Sequence, residues 1–597
     1  MAGRTTGSRV SPYPSAAALE SARTSRPSRR VLRMAGASGA LTLTLSLALL
    51  LLIVYPLIST LIRTFVVNGS IDLSPFSAIF HDADFRIACR NTAILFVSAG
   101  PLALIVGSLF AWINERTNAR MGRVARLLPL VTFFVPTIGM SIGWLFLGQQ
   151  QVGFVNSALR AILDRFGIHL TTGPLNIASW PGLIFMYTVE LVPFVYLIMS
   201  AALRNLDPAL EEASRMCGAG TALTVRRVSL PAIRPALASA GLILLTVTIS
   251  LLSIPLTIGE TARIDVISVY LVNSIDASPP RTAAVVAVSV LLVAVVSVVV
   301  AVNSRIGRGS RHATIGGKTG GGSLVDLGRW RWTARAVMVL YLLVAAVLPM
   351  LSLLVVAVEP FWTAAIDPAK FTWANFNNFV FSADSNSRVA VTNSLKLALI
   401  GATVCIAYAL ITVLYSHNRR SAVSGSIRLG TKIPSAISHL VIAISLLIAF
   451  GGAPLHLTGT FMILLVAYLV IYIPQASIAT ESARRQVGDE LLEASRMSGA
   501  RPVRTTGRIL VPLMVPGVAS GWAMVFVLIM GDITAAAILS GPSNLVVGAI
   551  ILNIWDSGIF AQLAVLGAVI CVLSALVVGV VLLSTGRLGV SVRRSGR

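Results

Sequence analysis

Residues 34–62 read MAGASGALTLTLSLALLLLIVYPLISTLI, a stretch without a charged side chain. An α-helix needs about 20 predominantly apolar residues to cross the hydrocarbon core of a bilayer. This run is long enough to span and too long for the apolar core of a signal peptide, so a retained membrane helix is expected. The rest of the chain has the same character. Of its 597 residues 56% are hydrophobic and 12% charged, with a mean hydropathy of +0.84, whereas soluble domains carry about 25% charged residues. The predicted fold class is all-α and integral to the membrane, which excludes a soluble enzyme or a soluble binding module.

Outward from that first span, long apolar windows recur at 38–62, 92–113, 127–148, 181–203, 236–258 and 282–303. Six more follow at 335–358, 394–416, 433–451, 458–480, 515–540 and 562–584. The pattern predicts two tandem six-helix halves, 35–304 and 334–586, with about 12 transmembrane helices. Residues 305–333 between them are Gly-rich and basic, as a cytoplasmic linker would be. Residues 1–34 are rich in Ser, Pro and Arg and are expected to form a disordered cytoplasmic tail; 587–597 form a short basic one. More than three quarters of the 47 Lys and Arg lie in the tails, the linker and the loops after the second and fourth spans of each half. Basic residues collect on the cytoplasmic side of membrane proteins, so an N-in, C-in topology is expected. The same bias accounts for the net charge of +24 without a nucleic-acid partner. The four cysteines are scattered, with no metal or disulfide spacing, and His81, His169 and His456 stand alone. No metal site is assigned.

The two halves repeat. EASRM occurs at 212–216 and again at 493–497, an offset of 281. At that offset Gly218 pairs with Gly499, Pro231 with Pro512, Pro235 with Pro516, and Pro193 with Pro474. These are parallel repeats, and both copies of the string fall in cytoplasmic loops, 205–233 and 486–514. In the first, Asp207 suits an N-cap and Pro208 the first helical position, with Glu211 and Glu212 near the positive helix end. Gly218 and Gly220 then permit a tight turn, and a second short helix is expected to end at Pro231. The second copy offers Asp489 as its cap and Gly499 as its turn. Each loop is expected to be a rigid helix–turn–helix knob, shaped for a partner to grip. The linker also contains IGGKTGGG, in which Gly317, Lys318 and Thr319 match the end of a phosphate-binding P-loop. That pattern needs Gly where this chain has His312, and a strand before it, so no nucleotide site is expected here.

The spacing Glu-Ala-Ala, three residues, Gly, nine residues, Ile-x-Leu-Pro resembles the EAA loop of binding-protein-dependent ABC importer permeases. The first copy fits with Glu212, Ala213, Ser214, Gly218, Val228, Leu230 and Pro231; the second with Glu493, Ala494, Ser495, Gly499, Ile509 and Pro512. Ser stands for the second Ala in both, and Val511 stands where Leu is expected. The resemblance implies that Glu212, Ala213, Gly218 and Pro231 meet one ATPase subunit and Glu493, Ala494, Gly499 and Pro512 another. The near identity of the loops implies an ABC ATPase homodimer. It further implies an extracytoplasmic substrate-binding protein, ATP and Mg held by the ATPase with no cofactor in this chain, and a multi-pass protein of the bacterial cell membrane that is not itself an enzyme. The full-length duplication, with the segment SIPLTIGETARIDVISVYLVNSIDASPP, resembles fused permeases of the ferric-iron importer type. Relatives of that type carry 2-aminoethylphosphonate, thiamine or polyamines, and these stand as alternatives to ferric iron. The more distant alternative is an ion-coupled secondary transporter, also built from twelve spans in two halves.

Two carboxylates fall within predicted spans, Glu190 and Asp532. Charge within a bilayer is costly, so both are candidates for the translocation pathway, with a cationic substrate in view. Neither has an acidic counterpart in the other half, where the register gives Ile471 and Leu251. The competing reading is a polar clamp between helices.

Overall fold

The computed structural model describes residues 29–67, 70–120, 125–309, 324–382, 385–416, 437–453 and 455–594, with Thr431 and Pro434. The tail through residue 28 and the IGGKTGGG fragment lie outside the described residues. The first half contains α1 (Arg29–Phe65), α2 (Ala83–Arg116), α3 (Thr137–Gly148), α4 (Trp180–Asn205), α5 (Pro208–Met216), α6 (Leu230–Ser250), α7 (Ile267–Asp276) and α8 (Thr282–Gly309). The second contains α9 (Trp330–Leu342), α10 (Leu348–Val358), α11 (Asn386–Ser416), α12 (His439–Phe450) and α13 (Phe461–Arg485). It continues with α14 (Asp489–Met497), α15 (Val511–Met530), α16 (Val547–Ser557) and α17 (Phe560–Arg594). A π-helical turn at Leu343–Val347 joins α9 and α10 into one rod.

Ten helical stretches among the described residues are long and apolar enough to cross a membrane, against the twelve expected. The difference lies at the third position of each half. There α3 and α12 have 12 residues each, about 18 Å at 1.5 Å per residue, well short of a bilayer core of about 30 Å. The expected span 127–148 is split into a 3₁₀ segment, Ala125–Phe134, and α3, with the break at Val135-Pro136. Proline removes an N–H and pushes the residue before it out of the helical region. Irregular backbone is tolerated at membrane depth only inside protein, and most of both short helices is buried.

The halves defined by sequence are not the packing units. The first rod of each half reaches across to the other: α1 packs against α12, and α10 packs against α3 while also packing against α17 of its own half. The α3–α10 contact is close because Gly143 has no side chain; a Cβ there would strike the Pro349 carbonyl. The Ser352 hydroxyl donates to the Gly143 carbonyl at 2.8 Å, and the Trp144 indole N–H to that of Val344 at 3.0 Å. Small residues and buried hydrogen bonds of this kind hold helices together where lipid offers no hydrophobic drive.

A matched pair of polar clamps positions the short helices after the fifth span of each half. The Ile267 N–H that opens α7 donates to Thr92 Oγ1 at 3.1 Å, and Asn91 Nδ2 donates to the Asp265 carbonyl at 2.8 Å. In the second half the Val547 N–H that opens α16 donates to Ser394 Oγ at 2.9 Å, and Asn393 to the Leu545 carbonyl at 2.9 Å. Helix-end N–H groups without such partners would be costly in this surrounding.

Candidate functional site

The two loops carrying EASRM have one geometry. In the first, Asp207 caps α5 by accepting the Ala209 N–H at 3.0 Å, with Pro208 at the first turn. In the second, α14 begins at Asp489 itself, with Gly488 in the cap position, so Asp489 is not the cap. Both helices end in the same six-residue closure. Gly218 N–H donates to Arg215 O at 2.9 Å and Ala219 N–H to Ser214 O at 3.1 Å; Gly499 and Ala500 repeat this with Arg496 and Ser495 at 2.9 and 3.1 Å. That pair of bonds is a Schellman closure and needs a left-handed residue. Gly218 has φ +83° and Gly499 φ +75°. The space around both is open, so backbone conformation rather than crowding selects glycine.

The serine in place of alanine has a defined task. The Ser214 and Thr224 hydroxyls share a hydrogen bond at 3.1 Å, and those of Ser495 and Thr505 one at 2.8 Å. Each bond ties the first short helix to the segment beyond the turn. That segment does not stop at the proline. Thr221 to Ser250 is one continuous helical rod with a π-helical turn at Val225–Ser229, and Val503 to Met530 is another with a π-helical turn at Thr506–Leu510. Pro231 and Pro512 sit just after those turns, at the start of α6 and α15. A wider turn removes the clash between the proline ring and the carbonyl four residues back, so the helix passes through. The knob is therefore mounted directly on a span.

Glu212 and Glu493 lie on their short helices with Ala213 and Ala494 beside them. The structure adds a pair of apolar contacts at each knob. Leu210 and Leu491 are each 51% exposed, and Met216 and Met497 each 89%. Exposed leucine and methionine on a polar loop suit an adaptable partner surface. A signal for them was present in the sequence, since both residues repeat at the 281 offset.

The two buried carboxylates differ in setting. Glu190 Oε1 accepts the Thr137 hydroxyl at 3.0 Å, while Oε2 has no hydrogen-bond partner. Asp532 accepts the Tyr472 hydroxyl at 2.9 Å and the Ala535 N–H, in the first turn of the helix Thr534–Leu539, at 2.8 Å. Gly531 packs on Pro136, so the residues next to Asp532 and to the Glu190 partner Thr137 meet on one seam between the halves. The carboxylates themselves do not form a pair.

A third acidic feature escaped the sequence reading. Glu260 and Asp276 of the first half have carboxyls pushed above their ordinary range, in both cases first by partial burial. The negative charge of Asp556 from the second half raises both further, and Asp265 adds to the effect at Glu260, against a stabilising hydrogen bond with Trp555. Among the described residues no three His, Cys, Asp or Glu side chains form a metal-holding group.

Comparison with known proteins identifies the family of the two repeats. The model for the binding-protein-dependent transport system inner membrane component matches residues 101–308 and 414–586. The ferric transport system permease protein FbpB of Actinobacillus pleuropneumoniae is 24% identical over 545 residues, covering 87% of this chain and 74% of that one. The spermidine/putrescine transport system permease protein PotC of Haemophilus influenzae is 28% identical over 213 residues, covering 35% of this chain and 80% of its own. A crystal structure of a bacterial ABC transporter involved in import of the polysaccharide alginate aligns with a TM-score of 0.32 at 21% identity, covering 43% of this chain and 88% of that one. With the family matched twice, once in each repeat, the chain belongs to the binding-protein-dependent transport system inner membrane components, as a duplicated, multi-pass inner-membrane permease.

Proposed function

We propose that the chain is the whole translocation pathway of an ATP-binding-cassette importer, working by alternating access, with ferric iron as its cargo. The observation that carries the ATPase half of this reading is the matched pair of knobs. Each presents a short helix closed by a glycine turn and an exposed leucine–methionine pair at equal exposure. Two equal handles suit two copies of one ATPase. ATP and Mg then belong to that partner, and a binding protein outside the membrane, opposite the knobs, delivers the substrate. Mounted without a break on α6 and α15, the knobs would pass ATPase closure into the spans as rigid-body motion.

A cationic cargo is supported by Glu260, Asp276 and Asp556, contributed by both halves, and by the unpartnered oxygen of Glu190 deeper in the protein. Among cations, ferric iron is favoured because two relatives are named for ferric transport. Polyamine is the second reading, favoured by the same acidic groups and by the PotC likeness. 2-Aminoethylphosphonate and thiamine remain alternatives for the same machinery.

The test is uptake into proteoliposomes holding this chain, its ATPase and its binding protein. Radiolabelled Fe(III) should accumulate only with ATP, and excess spermidine, thiamine or 2-aminoethylphosphonate should not compete. Uptake driven by a proton gradient alone would overturn the importer. ATP-driven uptake of spermidine but not iron would overturn the cargo and leave the machine in place.

A further inference from the structure

The start of α9 carries a surface that the transport reading does not use. An open cavity of about 620 Å³ is lined by Arg120, from the segment after α2, and by Trp332, Arg335, Ala336 and Val339 of α9. The four α9 residues stand at positions i, i+3, i+4 and i+7, so they share one face of the helix. That face is graded along its length. At its N-terminal end Trp332 is 62% exposed, with the Arg335 guanidinium carbon 4.9 Å and that of Arg331 5.6 Å from its ring centroid. Ala336, Val339 and, one turn further, Leu343 are apolar and exposed. Membrane depth accounts for the grading. The rod Trp330–Val358 has 29 residues, about 44 Å at 1.5 Å per residue, against a hydrocarbon core of about 30 Å. The charged first turns, rather than the apolar Leu348–Val358 end, take up that excess, which sets Trp332 and Arg335 at headgroup level and Val339 and Leu343 among the acyl chains.

The arginines of this face are held in place. Arg335 Nε donates to the Ala119 carbonyl at 3.1 Å, which brings it beside Arg120. The segment after α2 is fixed in turn by the end of the linker: Val325 N–H donates to the Arg116 carbonyl at 2.9 Å, and Asn118 N–H to the Val325 carbonyl at 3.1 Å. Asp326, an acidic residue close by in sequence, accepts the Asn118 side chain and the Gly328 N–H, the latter at 2.9 Å. Arg116, the last residue of α2, faces the buried Glu211 carboxylate of α5 at 3.7 Å, so the cavity adjoins the base of the first knob. Arg331 and Arg335 are a like-charge pair at i and i+4, an unfavourable arrangement whose repulsion an anion beside them relieves.

We propose that this face is a binding site for an anionic phospholipid, its phosphate held by Arg120 and Arg335 and its acyl chains lying along Ala336, Val339 and Leu343. Guanidinium groups meet phosphate oxygens with paired N–H donors, and basic pockets between spans on the cytoplasmic side take anionic headgroups. The bound lipid bridges the segment after α2 to α9, and so joins the two halves at this edge through a component the chain does not encode. The choice of leaflet rests on the N-in topology expected from the basic residues. The site itself is independent of the cargo and of the ATPase.

The test uses the full chain in a neutral detergent, titrated with phosphatidylglycerol, phosphatidylcholine or inorganic phosphate. Retained lipid is read by native mass spectrometry and stability by melting temperature. Phosphatidylglycerol should stay bound and raise the melting temperature, whereas phosphatidylcholine should do neither. Arg120→Gln should weaken phosphatidylglycerol binding about fivefold, the share of one arginine at an anionic surface, and Trp332→Ala should weaken it too. Arg305→Gln, an equal loss of charge outside the cavity, should leave it unchanged. All three side chains are exposed, so the variants should purify as the parent does. Equal binding of the two lipids, or unchanged phosphatidylglycerol binding in Arg120→Gln, overturns the proposal. Inorganic phosphate that gives the full shift and displaces the lipid would make this a soluble-anion site and overturn it as well. So would Arg120→Gln lowering ATPase co-purification with lipid binding unchanged, which would assign the face to a protein partner.

Discussion

Gly218 and Gly499 hold the left-handed position that closes each knob, and nothing crowds them. A non-glycine residue pays roughly 1–2 kcal/mol in that conformation. Gly218→Val should therefore unwind the end of α5 and lower ATPase co-purification several-fold, and Gly499→Val should do the same through α14. Unchanged co-purification would sink the coupling role. Glu190→Gln keeps the shape and removes the charge. Iron uptake falling about tenfold would support a pathway role, whereas full uptake would leave Glu190 as a clamp to Thr137. The glycines were legible because their role is local. The Ser214–Thr224 and Ser495–Thr505 bonds were not, since a serine in place of alanine looks like drift until the turn brings its partner within 3.1 and 2.8 Å.

At the scale of elements, the proline after each loop was expected to end a helix and instead sits in a continuous one. The π-helical turns at Val225–Ser229 and Thr506–Leu510 absorb the missing N–H, and they turn a hinged knob into a stiff one. Below the first knob, Arg116→Leu alone leaves Glu211 buried without a countercharge. That should cost roughly 3–5 kcal/mol and lower the melting temperature in detergent, and adding Glu211→Leu and Ser229→Leu should recover most of the loss, because Leu492 and Leu510 already form an apolar cluster in the second half. Failure to recover would mean that the first joint cannot accept the apolar pattern. The short third helices follow the same lesson: hydropathy counted α3 and α12 as spans because their residues are apolar, but Pro136 and burial inside protein decide their length.

For the whole molecule, Gly143→Leu should drive α10 off α3 by striking the Pro349 carbonyl, seen as early aggregation or loss of the monomer peak in size-exclusion chromatography. The acidic group of Glu260, Asp276 and Asp556 gives a pH signature. Both Glu260 and Asp276 have carboxyls raised above their ordinary range, by burial first and by Asp556 next. Their contribution to stability is fully present below the ordinary carboxylate pKa of about 4 and is lost as pH rises through the raised values. Asp556→Asn should reduce that loss, measured as a smaller fall in melting temperature across the acidic range, and an unchanged profile would count against mutual repulsion.

Sequence by itself determined the membrane class, the duplication and the two knobs, because each is written in local chemistry: apolar length, a 281-residue register, caps and turn glycines. Only the tertiary structure decided that α1 packs on the opposite half and α10 bridges the two, that Glu260 and Asp276 share a field with Asp556, and that one knob stands on Arg116 and the other on leucine. Those facts depend on which residues meet across hundreds of positions. Hydropathy and spacing carry no information about such meetings, because the bilayer favours any apolar helix equally until small residues and buried polar groups choose its neighbour.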